Sequence, residues 1–470
     1  MDAIRLEMNN VRVAFEEYEG DPNDLVGYIQ ITGHLVFDVK LGENFRRKAR
    51  YCADGHKTGA PASVTYSTVV SRDSVRILLT IAALNGLNVM GADVQNAFLT
   101  APNNEKCWMV AGPEFGPDEG KTFLVVKALY GLKSASFSFR SYMAEKLSTL
   151  GFQSSLADPD VWLRAATKED GEQYYEYVLM YVDDILAISC DPESILRDVQ
   201  TTFKLKNDKI ETPEYYLGAK LQEKPIKGIT CWTISSQDYV KAAINNVEEA
   251  TKKTARKIPT KHVETPMAAA YIPELDVTEE LQEKDVTFYQ ELIGVLRWAT
   301  EIGRVDILLE VSLLSQYQAN PREGHLEQLL HIFGFLRKYP KLTLYLSPEL
   351  PNMDYGDFRT KKEDFAEIYR DAEEPMPHRM PVPRGQNVTT TAYVDASHAA
   401  NRTTRRSHTG FVIFVNRAPI VWYSKRQQTV ETSTFSAEFI ALKGTCLNCL
   451  LSFTIPDNRC SSDKGNESGM

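Results

Sequence analysis

The sequence predicts an α+β protein, and three observations lead there. Apolar, β-prone runs at 87–94, 123–126, 177–188 and 229–235 are bounded by turn residues and read as strands. Windows at 66–85, 136–150, 237–256 and 288–339 carry their apolar residues at helical spacing. A polar, proline-rich stretch at 354–387 then sets off a final block of three strands and a helix at 389–451.

Taken in order, residues 1–60 hold strand-like runs at 26–32 and 34–39 and a basic cluster, Arg46-Arg47-Lys48-Ala49-Arg50. Over 66–85, Val69, Val70, Ile77, Leu78, Ile81, Ala82 and Leu84 recur on one face, and Gly86 supplies a C-cap. The strand at 87–94 carries Asp93 near its end. After a Pro/Gly-rich loop at 111–120 and a strand at 123–126, a helix over 136–150 stops at Gly151. The run 177–188 is a hairpin with Asp183 and Asp184 at its tip. Helix 192–203 and a second hairpin, 215–221 with 229–235, follow. The window from 237 to about 256 is helical again, and from 288 to 339 the pattern stays helical and amphipathic. Strands at 389–395, 410–415 and 419–424 and a helix from Thr434 to about residue 451, capped by Ser433 or Thr434, close the patterned part. No internal repeat and no heptad pattern occurs.

The chain has 470 residues, room for two or three domains, with an ordinary apolar share of 43% and a charged share of 25%. No apolar run reaches the roughly 20 residues that cross a bilayer, and the first ten residues are not a secretory signal. Seven scattered cysteines give no disulfide framework, which points to a reducing compartment. Cys446 and Cys449 form a CxxC among leucines and read as part of a buried helix. The net charge of −10 argues against a general nucleic-acid adhesin. Local basic patches at 46–50, 252–261 and 402–406 leave phosphate contacts open.

Two adjacent carboxylates at a hairpin tip repel each other and lose hydration if covered; hard oxygen ligands of this kind suit Mg²⁺. Read alone, Asp183-Asp184 is a solvated turn, and the case for chemistry comes from elsewhere in the chain. Asp93 ends another strand. If the two strands are neighbours, three carboxylates converge, as two-metal phosphoryl chemistry requires, with ions roughly 4 Å apart. Spacing does not show that they are neighbours.

Collinear segments add a resemblance. Arg47-Lys48-Ala49-Arg50, Ser71-Arg72-Asp73-Ser74-Val75-Arg76, Asp93-Val94-Gln95-Asn96-Ala97-Phe98-Leu99, Leu129-Tyr130-Gly131-Leu132-Lys133-Ser134, Tyr181-Val182-Asp183-Asp184 and Tyr216-Leu217-Gly218 occur in that order. So do Tyr393-Val394-Asp395-Ala396, 404–410 and Ser436-Ala437-Glu438. Over about residues 1–447 the chain resembles the reverse transcriptase of copia-type LTR retrotransposons, followed by part of an RNase H domain.

That resemblance implies a right-hand polymerase, with fingers and palm over 1–235 and a helical thumb and connection over 236–345. A linker at 346–388, a partial RNase H-like α/β domain at 389–451 and a divergent tail at 452–470 would follow. Asp93, Asp183 and Asp184 would hold two Mg²⁺ ions, with Mn²⁺ as a substitute, while a primer 3′-hydroxyl attacks an incoming deoxynucleoside triphosphate. Lys48 and Arg50 would contact its phosphates, Phe98 would be a steric gate, and Tyr130 and Gly131 would floor the pocket. Tyr216, Leu217 and Gly218 would grip the primer. Lys206 would protonate the leaving pyrophosphate, although Lys204 and Lys209 compete for that position. Glu301, Asp306 and Glu310 read as structural, Asp306 in a salt bridge. The implied partners are an RNA or DNA template with its primer, deoxynucleotides and other retrotransposon proteins. The implied location is intracellular, cytoplasmic with the nucleus as a second compartment.

In the RNase H part only Asp395 and Glu438 match the family's acids. The pattern departs after about Leu447, and Asp457 follows Glu438 too soon to be the next acid. The expectation is therefore a non-functional RNase H remnant. The expected start lies within or just before the fingers, without the gag, protease and integrase portions that accompany such polymerases. A catalytically inactive relic that binds nucleic acid or protein is the alternative, and a nuclease acting through Asp395 and Glu438 a third.

Overall fold

The computed structural model describes residues 2–40, 46–57, 59, 65–252, 256–352 and 380–452. They fall into two compact units. One is built from Met1–Ser71, Asn88–Ala166 and Tyr175–Thr212, the other from Arg72–Leu87, Thr167–Tyr174 and Pro213–Met470. The fold is mixed α/β.

The first unit starts with α1 (Asp2–Val11), β1 (Phe15–Glu17), β2 (Ile29–Gln30), β3 (Gly33–Lys40) and β4 (Arg46–Ala53). After α2 (Arg72–Asn85), which belongs to the second unit, come β5 (Asn88–Asp93), α3 (Ala97–Thr100), β6 (Cys107–Val110), β7 (Thr122–Val125) and α4 (Ala135–Thr149). Then follow β8 (Gln153–Ser154), β9 (Val161–Thr167), β10 (Gln173–Tyr181), β11 (Asp184–Ser189) and α5 (Pro192–Gln200). The central sheet runs β5-β11-β10-β9-β8. In β11, Ile185, Leu186, Ala187, Ile188 and Ser189 are all buried, which is why this run is apolar without alternation. Phe139, Met143 and Leu147 of α4 and Ile195, Leu196 and Val199 of α5 share one core with Val178, Met180, Ile185 and Ala187. A second sheet, β1-β7-β6-β2, and the β3–β4 hairpin complete the unit.

Helix α2 begins at Arg72, six residues later than the periodicity predicts. Residues 66–71 instead belong to no helix or strand: the Val70 amide donates to the Met180 carbonyl (3.0 Å) and the Ser71 amide to the Asp158 carboxylate (2.9 Å). Ser67, Thr68, Val69 and Val70 are weak helix formers, so these outside partners win. At the other end Gly86 takes φ +63° and the Leu87 amide returns to the Ala82 carbonyl, the cap that the sequence predicts.

The second unit adds β12 (Tyr215–Tyr216), β13 (Ala219–Ile226), β14 (Ile229–Ser235), α6 (Gln237–Thr251), α7 (Glu283–Ile302), α8 (Leu308–Leu314) and α9 (Glu323–Lys338). Leu292, Leu296, Val311, Leu329 and Phe333 pack the helices around one core. A strand that the sequence reading misses, β15 (Thr343–Leu346), extends the β12-β13-β14 sheet by pairing Thr343 with Ser235. Four residues carry too little periodicity to announce a strand whose partner is distant in sequence. The last block is β16 (Thr390–Ser397), β17 (His408–Val415), β18 (Ala418–Arg426) and α10 (Thr434–Ser452), a three-stranded antiparallel sheet with the helix against β16. Cys446 is exposed on α10, so the expectation of a buried helix is not met at that residue. Asp306 forms a two-point ion pair with Arg304 (2.9 and 2.7 Å), a structural role as expected. Asp457 and most of the expected linker lie outside the described residues.

Candidate active site

Hydrogen bonding between strands, rather than sequence proximity, assembles the carboxylates. β10 and β11 are joined by a two-residue turn, Val182-Asp183, with Tyr181 opposite Asp184. Asp184 is therefore the first residue of β11, and only Asp183 occupies the turn itself. Val182 takes φ +54°, a left-handed conformation that is costly for a β-branched residue and that a tight hairpin requires. β11 also pairs with β5, and that register sets Asp184 directly opposite Asp93. One residue further, the Val94 amide donates to the Asp183 carbonyl (2.8 Å). The two strands, whose adjacency the sequence leaves open, are neighbours.

The three acids are partly buried. Burial pushes the Asp183 carboxyl up, with the Asp93 charge adding to it. Asp184 is pushed up to about 6, by burial first and then by the charges of Asp183 and Asp93. Two cations act on them: Lys206 Nζ lies 2.5 Å from Asp93 Oδ2, and the Arg50 charge opposes the rise at Asp183. The lysine is delivered by the 204–211 segment, which runs beside β5 through the Gln95 amide to Lys204 carbonyl bond (2.8 Å) and a bridge between Gly91 and Glu211. Of the three candidate lysines, Lys206 is thus the one at the site, while Lys209 pairs with Glu211. Among the described residues, no three His, Cys, Asp or Glu side chains form a ready-made cation cage. The donor set nevertheless suits a hard divalent ion. Three carboxylates, two of them raised by burial and by neighbouring carboxylate charge, gain most from such a neighbour.

Around the acids the structure gathers further predicted residues. The Phe98 and Tyr130 rings lie 4.9 Å apart between centroids, and the Arg50 guanidinium lies 5.6 Å from the Tyr130 ring centre. Lys48 sits two residues from Arg50 on β4, partly buried, opposite Asp38. The Ala53 amide donates to the Tyr130 carbonyl (2.6 Å), tying the foot of the β3–β4 hairpin to the Tyr130-Gly131 turn. Gly131 takes φ +91°, and a Cβ there would collide with the Ala53 carbonyl oxygen. The sequence reading misses what anchors this hairpin. Asp54, buried, accepts from Thr32 Oγ1 (2.5 Å) and Lys57 Nζ (2.7 Å) and bonds His34 Nδ1 (2.7 Å). The Lys57 and Thr32 hydrogen bonds hold its carboxyl well below the usual range. An Asp-Gly after a strand was the available signal, and it reads as an ordinary turn.

In the second unit, Tyr216, Leu217 and Gly218 form the β12–β13 turn, with Tyr216 opposite Ala219. Leu217 (φ +49°) and Gly218 (φ +80°) are both left-handed, as a tight two-residue hairpin turn demands. In the same unit Asp395 on β16 faces Gly410, and the next amide, Ala396, meets Glu438 Oε1 at 3.3 Å. Asp395 and Glu438 thus lie on adjacent elements, and both are exposed.

An antiparallel sheet presenting three carboxylates beside a basic hairpin defines a class of acidic, cation-competent site. The chain belongs to the reverse transcriptase (RNA-dependent DNA polymerase) family, whose model matches residues 27–262. It is 27% identical over 407 residues to the retrovirus-related Pol polyprotein from transposon RE1 of Arabidopsis thaliana, covering 85% of this chain and 24% of that protein. The RE2 polyprotein of the same plant is 26% identical over 407 residues, with the same coverage. The TNT 1-94 polyprotein of Nicotiana tabacum is 26% identical over 420 residues, covering 87% of this chain and 27% of its own. These matches place the chain with the copia-type retrotransposon reverse transcriptases. It spans about a quarter of the length of these relatives. No described helix is long and apolar enough to cross a membrane.

Proposed function

We propose that the chain is an RNA-directed DNA polymerase that extends a primer with deoxynucleotides by phosphoryl transfer, in a right-hand layout. The observation that carries this is the strand register that sets Asp184 opposite Asp93, with Asp183 in the adjoining turn. Asp93, Asp183 and Asp184 would hold two Mg²⁺ ions, or Mn²⁺ in their place. When bound, such ions supply Lewis-acid activation of the attacking hydroxyl and charge neutralisation at the leaving group.

The chain's own residues do the rest. Arg50 offers a planar fork of donors to the triphosphate, and Lys48 adds a second positive charge. Tyr130 and Gly131 form the pocket floor, and the Phe98 ring fills the space that a ribose 2′-hydroxyl would need. Lys206, already protonated against Asp93, is placed to give a proton to the departing pyrophosphate. Tyr216, Leu217 and Gly218 hold the primer end. In this layout residues 1–235 supply fingers and palm, α6 to α9 the thumb and connection, and β16 to α10 an RNase H-like part. Two carboxylates, Asp395 and Glu438, are too few to hold two ions tightly, and no cleavage step is assigned to them. Template, primer, deoxynucleotides and other retrotransposon proteins are the proposed partners, met inside the cell.

A second reading, a non-catalytic nucleic-acid or protein binder, draws on the Lys206 ammonium occupying Asp93. Primer extension on an RNA template with Mg²⁺, run beside Asp183→Asn, separates the two. Extension by the parent that falls at least about a hundredfold in the variant supports the polymerase. Folded parent protein that extends nothing supports the binder. Equal extension by both removes the metals from this hairpin.

A further inference from the structure

We infer that Arg72, in the Ser71–Arg76 motif to which no role is yet attached, is a positioning residue for the Tyr216–Gly218 turn and acts through Trp298. The functional consequence rests on the primer-grip reading above.

The turn lies against the C-terminal end of α7. A Cβ built on Gly218 would sit 3.4 Å from Trp298 Nε1 and 3.6 Å from Ile302 Cδ1, so the indole edge borders the left-handed turn. The Trp298 ring is partly exposed, and Arg72 lies over it: its guanidinium carbon is 4.1 Å from the ring centre and Nη1 is 3.5 Å from the Glu301 carboxylate. Arg72, Tyr216, Leu217, Glu301 and Ile302 line a small cavity of about 20 Å³ beside the turn.

One helical turn along α2, Arg76 fixes the frame in which Arg72 works. It is buried and donates to the Asp73 carboxylate (2.9 Å), to the Ile420 carbonyl of β18 (2.9 Å) and to the Glu301 carbonyl of α7. Its guanidinium lies 4.0 Å from the Trp422 ring centre, and Trp422 Nε1 donates to the Thr300 carbonyl (3.0 Å). Helix α2 is thereby pinned to the end of α7. With the backbones held, the planar face of Arg72 decides where Trp298 sits, and Trp298 decides how far the turn can move. A lysine would keep the charge but not the flat face.

The test uses the full chain as Arg72→Ala, Arg72→Lys, Trp298→Ala and the double Arg72→Ala/Trp298→Ala. Amide hydrogen exchange of residues 215–219 is read without substrate. Steady-state KM values are then read separately for the primer terminus and for the deoxynucleotide. Arg72→Ala is expected to speed exchange of the turn and to raise the primer KM, each about fivefold, the loss of one partly exposed cation–π contact. The deoxynucleotide KM stays unchanged, Arg72→Lys behaves like Arg72→Ala, and the double variant adds nothing to Trp298→Ala. Unchanged exchange in Arg72→Ala, a lysine variant equal to the parent, or both KM values moving together would overturn the assignment. A parent that extends no primer removes the polymerase reading, while the exchange measurement still decides whether Arg72 holds the turn.

Discussion

Lys206 places its ammonium 2.5 Å from Asp93, the acid that stands opposite Asp184 across the β5–β11 ladder. A protein cation and an incoming divalent ion would therefore compete for the same carboxylate. Lys206→Met removes the competitor and leaves all three acids facing one another. Divalent cation binding is expected to tighten by up to about fivefold, the range of a partly exposed ion pair, while primer extension slows because the leaving group loses its proton source. Calorimetric titration with Mn²⁺ and single-turnover extension measure the two effects. Weaker cation binding in the variant would show that Lys206 supports the acids and does not compete.

Asp184 makes the fold pH-dependent in a direction opposite to that of a salt-bridged carboxylate. Its folded value, about 6, stands above the ordinary carboxylate range, so the native state holds its proton more tightly than the unfolded chain does. The stabilisation from that proton is complete below the ordinary aspartate value near 4 and is lost as pH rises through about 6. Asp184→Asn escapes the loss. Parent and variant should be equally stable near pH 4, and the variant should be the more stable near pH 7.5, by on the order of 2 kcal/mol. Urea denaturation across that range in chelator reads the difference, and saturating divalent cation should shrink it. A gap that does not change with pH would contradict the assignment.

Gly131 is held at φ +91° with its α-carbon against the Ala53 carbonyl. Gly131→Ala adds a methyl group where there is no room and a left-handed strain. A loss of about 2 kcal/mol or more is expected by chemical denaturation. Because the same turn carries Tyr130, the deoxynucleotide KM should rise in whatever fraction stays folded. Gly86→Ala offers the contrast: that glycine is also left-handed, but a Cβ there meets nothing within 4 Å, so its cost should be smaller.

Phe98 packs its ring on Tyr130 at 4.9 Å and on Phe139 at 6.3 Å, which holds it in one orientation beside the acids. As the proposed gate, Phe98→Ala should admit ribonucleotides, lowering discrimination by about tenfold or more in competition between ribo- and deoxynucleotides. The partly buried ring also contributes packing, so about 1–3 kcal/mol of stability should be lost with it. A variant that loses stability yet keeps its discrimination would make Phe98 a core residue only.

By itself the sequence determined most of the local elements and named Asp93, Asp183 and Asp184 as the candidate acids. Period-two and helical patterning set the strands around Asp93 and the Asp183-Asp184 hairpin, the helices α4, α5 and α6, a helical stretch that holds most of α7 to α9, and the glycine stops at Gly86 and Gly151, because those signals are carried by neighbouring residues. Ordered motifs, from Arg47 to Gly218, carried the family. Tertiary structure decided what no neighbouring residue encodes. It set β5 beside β11 so that Asp93 meets Asp184, chose Lys206 over Lys204 and Lys209, delayed α2 to Arg72 by giving Ser71 an acceptor in Asp158, and added β15 to the sheet. It also placed Arg72 on Trp298, two residues more than two hundred positions apart. Each of these depends on a partner distant in sequence, and a register between distant strands is set by the burial and hydrogen bonding of the whole sheet.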